Sequence, residues 1–428
     1  MSSSIIPVLL ITFVVLLLLK VPVSISIMVA SIVSLVTCSS INVVAVIQRM
    51  YVSCESFSLL AVPLFIMAGG FMEGGGISKR IVNFASSLIG HIKGGLAMTS
   101  VLASMIFAGI SGSAAADTAA IGSILVPAME KDGYGKDIAT SVVATGGAIG
   151  IVIPPSIPMV LIGVACNISI GKLFMGGIIP GILIGLSLMI ISYIYAKKRN
   201  LNSYPRSNFK QVAKATKDAF WALLTIVIIL GGILSGLFTA TEAAGIAAVY
   251  TLVVGLFIYK ELTLKRVAEI LCESAVTTGV VVLCIATASA FGWILSAEDV
   301  PSAIANAIVG LSNSKIVIML LINLVFLFLG MIMDIAPIIL VVVPIMYPIA
   351  MSCGLSAVHF GIMVVVNMAI GQCTPPVGVA LYVAMGISKM KIADMLKTYC
   401  SYLGAMIVVL LLVTFIPALS ELLPKLLL

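Results

Sequence analysis

The chain has 428 residues, 61% of them hydrophobic and 9% charged, with a formal net charge of +7. A soluble domain carries about 25% charged and about 45–50% apolar residues. The composition therefore excludes an ordinary soluble enzyme and a disordered chain, and leaves an integral membrane protein that crosses the bilayer many times.

A spanning helix needs roughly 20 apolar residues, which allows on the order of 12 to 15 spans or half-spans here. Helices are expected, because the apolar runs outlast the roughly 10 residues of a barrel strand. The first run reaches Leu19 after Met1-Ser-Ser-Ser, with no basic leader and no small-residue cleavage site, and is expected to be a retained span. Runs follow at 21–37, 57–72, 94–108, 113–129, 137–152, 155–168 and 172–196. Between Lys197 and Asp218 seven basic residues face one acidic residue, a local charge of +6. Flanked by apolar blocks, this loop reads as a cytoplasmic positive-inside signal, not a nucleic-acid patch. Further runs lie at 219–238, 242–259, 272–296, 301–311, 316–330, 335–352, 356–371, 376–387 and 401–420. Several are too short to cross a hydrocarbon core of roughly 30 Å.

Two stretches look like copies. Ala148-Ile-Gly150-x-x-x-Pro154-Pro155 and Ala369-Ile-Gly371-x-x-x-Pro375-Pro376 share the pattern A-I-G-x-x-x-P-P at an offset of 221 residues. Upstream, Asp117 and Pro127 correspond to Asp334 and Pro344 at an offset of 217. Two matches in the same order argue for an internal duplication around the basic loop. A Pro-Pro pair removes backbone donors and disfavours helix before it, so each pair should break a span at membrane depth. Such breaks are tolerated only inside protein or beside a cavity, and their free carbonyls and N–H groups can hold a cation and an anion.

The carboxylates expected at membrane depth are Asp117, Glu242 and Asp334, and an ionisable group there marks a functional site by default. Asp117 ends the small-residue run Gly109-Ile-Ser111-Gly112-Ser113-Ala-Ala-Ala-Asp117, which reads as the tip of a re-entrant hairpin. Asp334 falls in a second hairpin, and Glu242 either serves function or stands at a helix N-terminus. Arg49 either binds an anionic group or snorkels to the interface. His91 and His359 read as interfacial, and the eight scattered cysteines form no CxxC pair, so neither a disulfide framework nor a zinc site is expected. No G-x-x-x-x-G-K-[ST] loop is present, so energy must come from an ion gradient or a partner. Two intramembrane aspartates raise an aspartyl protease as a rival, but the G-x-G-D and Y-D patterns are missing.

The run Gly109 to Met129 resembles the large membrane subunit of tripartite ATP-independent periplasmic (TRAP) transporters. So do Gly150-Ile-Val-Ile-Pro-Pro-Ser-Ile-Pro158, Ser169-Ile-Gly-Lys-Leu-Phe174 and Ser235-Gly-Leu-Phe-Thr-Ala-Thr-Glu-Ala-Ala244. The pieces stand in family order from about residue 45 to the C-terminus. Ala114 departs from the family's common second serine, and Ala240 from its usual proline.

The resemblance implies an all-α polytopic protein with inverted structural repeats, two re-entrant hairpins and two Pro-Pro-broken helices, working as an elevator. The expected parts are N-terminal scaffold helices at 1–72, a first repeat at 73–196 and the basic loop at 197–218. Scaffold helices and a connecting arm at 219–296, a second repeat at 297–396 and a C-terminal scaffold helix at 397–428 complete them. It implies a sodium-coupled secondary transporter in a bacterial inner membrane that takes up an organic acid, sialic acid or a C4-dicarboxylate. A soluble periplasmic binding protein and a small four-helix membrane subunit, encoded elsewhere, would be its partners. At least two Na+ ions are implied. The first would be held at Ser111, Ser113, Gly150, Ile153 and Pro155, the second at Gly330, Gly371, Thr374 and Pro376. Asp117 would lie near the substrate beside Ser169 and Arg49, with Asp334 and Glu242 as further substrate or coupling residues. A stand-alone sodium/divalent-anion symporter would share the hairpin logic without needing a binding protein.

Overall fold

The computed structural model describes residues 5–39, 41–201, 203, 205–300, 303 and 314–427. Among these residues the secondary structure is helical throughout, and eight helices are long and apolar enough to cross a bilayer. The run expected at 301–311 lies, but for residue 303, outside the described residues.

The first five helices are α1 (Ile5–Leu18), α2 (Val23–Cys38), α3 (Val44–Cys54), α4 (Ala61–Gly74) and α5 (Ile77–Ile89). They lead into α6 (Gly95–Ser111), α7 (Ala114–Lys131), α8 (Lys136–Gly147), α9 (Ile157–Ala165) and α10 (Ile170–Lys198). Beyond the basic stretch come α11 (Phe209–Leu234), α12 (Ala240–Val253) and α13 (Leu264–Ala297). The chain closes with α14 (Lys315–Ile332), α15 (Ile335–Ser352), α16 (Ala357–Gly371), α17 (Val379–Ser388), α18 (Ile392–Phe415) and α19 (Ala418–Leu427).

Helices α3, α5 and α19 are not marked by long apolar runs. In α5 the buried residues Ile77, Ile81, Val82 and Ala85 alternate at helical spacing with Lys79, Arg80 and Asn83. Such a helix shows periodicity instead of a run. Helix α11 starts ten residues before its apolar part, and the Asn208 N–H is capped by Gln211 Oε1 at 2.9 Å. The basic stretch is therefore partly helical at both ends.

Two helices are buried on every side over most of their length. In α8 every residue from Ile138 to Gly147 is buried, and in α16 every residue from His359 to Gly371 is buried. A helix with no solvated face belongs inside the protein. At about 1.5 Å per residue, the 12 residues of α8 cover only about 18 Å, half a membrane. Each then runs into a Pro-Pro pair, and both Pro154-Pro155 and Pro375-Pro376 are cis.

Around these centres the helices pack in two groups. Helix α13 lies on α2, α3 and α4, α12 on α4, and α11 on α5 and α12. In the other group α6, α7 and α8 pack mutually, α17 lies on α7 and α8, α18 on α8, α10 and α16, and α14 on α16. The groups meet where α4 and α5 touch α6 and where α13 touches α15. At the outer end of α8, Arg199 donates to both Asp137 oxygens at 2.8 and 2.5 Å, and Thr398 Oγ1 donates to the same carboxylate. This bidentate pair ties α8, the end of α10 and the start of α18 together.

Candidate functional site

The loop between α6 and α7 folds onto the first break. Gly112 has a φ of +64°, and a Cβ there would stand 2.8 Å from the Pro155 carbonyl oxygen. Only glycine meets both demands at no cost. Ser113 caps α7 through the Ala116 N–H, and its own N–H donates to Ser111 Oγ at 3.2 Å. Ser111 Oγ in turn donates to Asp117 Oδ1.

Asp117 is fully buried, and its Oδ2 has no hydrogen-bond partner among the described residues. What it meets is Gly150, where a Cβ would lie 2.2 Å from Oδ2 and 3.1 Å from the Ser113 carbonyl oxygen. The pattern extends along α8. A Cβ on Gly147 would lie 2.0 Å from Thr118 Oγ1, and one on Gly146 would lie 3.3 Å from Ser104 Oγ. Glycines on the broken helix thus let a row of hairpin oxygens lie directly against it. Ser111, Ser113, Asp117, Gly150 and Pro155 come together here. Ile153 packs its side chain toward Gly181 of α10, so only its main chain is available to the site. The result is a cluster of hydroxyl, carboxylate and carbonyl oxygens about the buried Ser111 and Asp117, the donor type that a hard cation takes.

The second break repeats the theme with main-chain atoms. A Cβ on Gly371 would lie 2.8 Å from both Cα and C of Gly330 and 2.9 Å from its oxygen. The Val377 N–H donates to the Met331 carbonyl at 3.1 Å, and Thr374 Oγ1 donates to Ile370 O at 2.7 Å. Asp334 differs from Asp117. It is exposed, accepts from the Ile335 N–H at 2.8 Å, and receives Gln372 Nε2 at 3.5 Å. Pro376 is exposed as well. The two breaks are tied side by side: Cys373 Sγ donates to Ala144 O at 3.4 Å, and the Tyr399 hydroxyl donates to Cys373 O.

Three predicted site residues lie apart from these breaks. Arg49 is exposed, with its guanidinium 5.2 Å from the centroid of the Trp293 ring, so a cation–π contact between α3 and α13 occupies it. Glu242 is exposed and closes a capping box: the Thr239 N–H and hydroxyl both donate to its Oε2 at 2.8 Å, and its own N–H donates to Thr239 Oγ1 at 3.3 Å. Ser169 is exposed and caps α10 through the Lys172 N–H at 3.4 Å. It does line a cavity of about 490 Å³ together with Asn167, Ser58, Thr239 and Thr241. That cavity joins two of the quoted motif strings across the α9–α10 and α11–α12 connections. Sequence reading left out Gln372, Asn167 and Thr241 as polar groups at these places; their signal was adjacency to the second Pro-Pro pair and to the motif strings.

His359 is buried, with Nδ1 2.9 Å from Ser420 Oγ and Nε2 3.2 Å from the Thr414 carbonyl oxygen. A chain of side-chain amides runs beside it: Asn367 Nδ2 donates to Asn323 Oδ1, and Asn323 Nδ2 to Thr414 Oγ1, each at 2.8 Å.

The sequence profile described as "Tripartite ATP-independent periplasmic transporter, DctM component" matches residues 10–419. The C4-dicarboxylate TRAP transporter large permease protein DctM of Pseudomonas aeruginosa is 42% identical over 88% of this chain and 88% of its own length. The sialic acid TRAP transporter large permease protein SiaM of Vibrio cholerae is 40% identical over 95% of each. The isethionate TRAP transporter permease protein DctMQ of Oleidesulfovibrio alaskensis is 44% identical over 96% of this chain. The chain spans 65% of that last relative's length. In fold, it resembles the crystal structure of the YdaH transporter of Alcanivorax borkumensis, with a TM-score of 0.62 at 13% identity over 88% of each chain.

Proposed function

The chain belongs to the family of DctM components of TRAP transporters, as a multi-pass membrane permease and not an enzyme, and from that premise we propose that it couples uptake of an organic acid to sodium. The observation that carries the reading is the Asp117 carboxylate. It is fully buried, has one oxygen on Ser111 and the other without a partner among the described residues, and lies against the first Pro-Pro break. A buried charge persists when it is paired or meets a metal ion. The close approach of Gly330 and Gly371 sets the Gly330 carbonyl oxygen against the second break, which supports placing a second ion there.

The series α6–α10 and α14–α18 each run as two hairpin arms, a largely buried helix, a Pro-Pro pair, a short helix and a long one. Helix α8 starts at Lys136 and α16 starts at Ala357, 221 residues apart. That order supports inverted repeats with re-entrant hairpins. The packing supports an elevator in which α6–α10 and α14–α19 move against α1–α4 and α11–α13. The packing of α18 and α19 on α10 and α16 supports placing them with the moving group, where the sequence reading has 397–428 as scaffold. The acid is delivered by a periplasmic binding protein, a small four-helix membrane subunit completes the complex, and the bilayer is a bacterial inner membrane. The relatives' names cover a C4-dicarboxylate, sialic acid and isethionate, which supports an organic acid as the class.

Sodium binding is tested on the purified chain by melting in NaCl, KCl and choline chloride at one ionic strength. An ion that binds only the folded state at about 100 times its dissociation constant stabilises by about 2.7 kcal/mol. The midpoint is expected to rise with sodium alone. Equal midpoints in the three salts would remove the sodium reading.

A further inference from the structure

A cavity of about 1290 Å³ lies away from both breaks and opens between the start of α5, the first turns of α11 and the connection from α12 to α13. Its basic lining is Lys79, Arg80, Lys214 and Lys217, against Asp218 and Glu261. Arg80 is already engaged: it pairs with Glu261 at 2.7 Å, donates to Gly76 O at 2.8 Å and lies 3.8 Å from the centroid of the Tyr259 ring. Lys79, Lys214 and Lys217 are exposed and make no ion pair or hydrogen bond among the described residues. The engaged pair is neutral, so three free ammonium groups face one carboxylate.

The rest of the lining sets Asn83, Gln211 and Thr216 beside an apolar wall that includes Phe209, Val212, Phe220, Trp221 and Ile258. Phe220 and Trp221 meet edge to face at 5.4 Å and remain 50% and 38% exposed. On α11, Lys210, Lys214, Lys217 and Trp221 follow one another at helical spacing along one face. Beyond Asp218 the helix is apolar to Leu234. A stripe of ammonium groups ending in an indole, where a helix passes from water into hydrocarbon, matches the layering of a phospholipid: phosphate above, acyl chain below. A soluble phosphate would use the lysines but leaves the aromatic wall bare.

We propose that this cavity binds the phosphate group of an anionic phospholipid of the cytoplasmic leaflet, with the acyl chain laid on Phe220 and Trp221. The ammonium groups of Lys79, Lys214 and Lys217 hold the headgroup, and the Arg80–Glu261 pair fixes the floor. The site holds the start of α11 and α5 at the membrane surface and does not rest on sodium coupling.

The chain has two tryptophans, so Trp293→Phe leaves Trp221 as the sole reporter. The full chain is reconstituted in phosphatidylcholine vesicles containing brominated phosphatidylglycerol or, at equal mole fraction, brominated phosphatidylcholine. The anionic lipid is expected to quench Trp221 more strongly, with an enrichment of about five-fold for each lysine that meets a phosphate. Lys79→Gln, Lys214→Gln and Lys217→Gln together should bring the two lipids to parity, while the three Arg variants keep the preference. Because the lysines are exposed, circular dichroism of both sets should match the parent. Equal quenching by the two lipids in the chain with its lysines intact overturns the proposal. Abolition of the preference by inorganic phosphate overturns the lipid source in favour of a soluble phosphate. Abolition on adding the small membrane subunit overturns it in favour of a protein contact.

Discussion

Asp117→Asn is expected to lower the initial rate of uptake about 10- to 100-fold while the chain still inserts and folds. The side chain keeps its shape and loses its charge. A hydrogen bond to a charged group contributes about 1.5–3 kcal/mol, and each 1.4 kcal/mol is about tenfold in an equilibrium constant. The Ser111 hydroxyl donates to one oxygen, and the other, against Gly150, is left for a cation or for charge carried with it. A purely structural Asp117 predicts the opposite sign, because burying an amide is cheaper than burying a carboxylate. Uptake per inserted molecule and melting temperature together decide: unchanged uptake with a higher midpoint would make Asp117 structural. Glu242→Gln is the control. Its carboxylate caps α12 from an exposed position, so uptake should stay within a few-fold of the parent.

Gly371→Ala is expected to stop transport and to destabilise the chain by about 1–3 kcal/mol, the usual range for overpacking. The added methyl would meet the Gly330 main chain, not a side chain that can turn away. The second hairpin must then withdraw from the second break, and the Gly330 carbonyl oxygen moves away from it. Gly386→Ala provides the comparison, since a Cβ there meets nothing within 4 Å and the residue lies inside α17. That change should be neutral or stabilise by about 0.5–1 kcal/mol. Melting curves and uptake for the two variants should diverge; equal behaviour would mean that the close contact of Gly330 and Gly371 plays no part.

The central architecture was legible because its signals are local. Each Pro-Pro pair breaks its own helix, and from Ile138 and from His359 onward α8 and α16 carry no Lys, Arg, Asp or Glu. The amphipathic helices α3, α5 and α19 hid because their apolar residues are spaced rather than continuous. The contacts of Arg49 and His359 were hidden for another reason: their partners Trp293, Ser420 and Thr414 stand far along the chain, and nothing local reports them. Glu242 had a readable alternative, since Thr239-x-x-Glu242 is the sequence of a capping box. The asymmetry between Asp117 and Asp334 could not be read from matching motifs, because it depends on how closely each hairpin covers its break.

The most direct measurement is uptake of a labelled acid into proteoliposomes that hold this chain and its small membrane subunit. Sialic acid comes first, then succinate, each with and without an inward sodium gradient and the periplasmic binding protein. Accumulation that requires the gradient and the binding protein together is the expected result. Equal accumulation without a sodium gradient would contradict it, and sodium-driven accumulation without the binding protein would make this chain a stand-alone symporter.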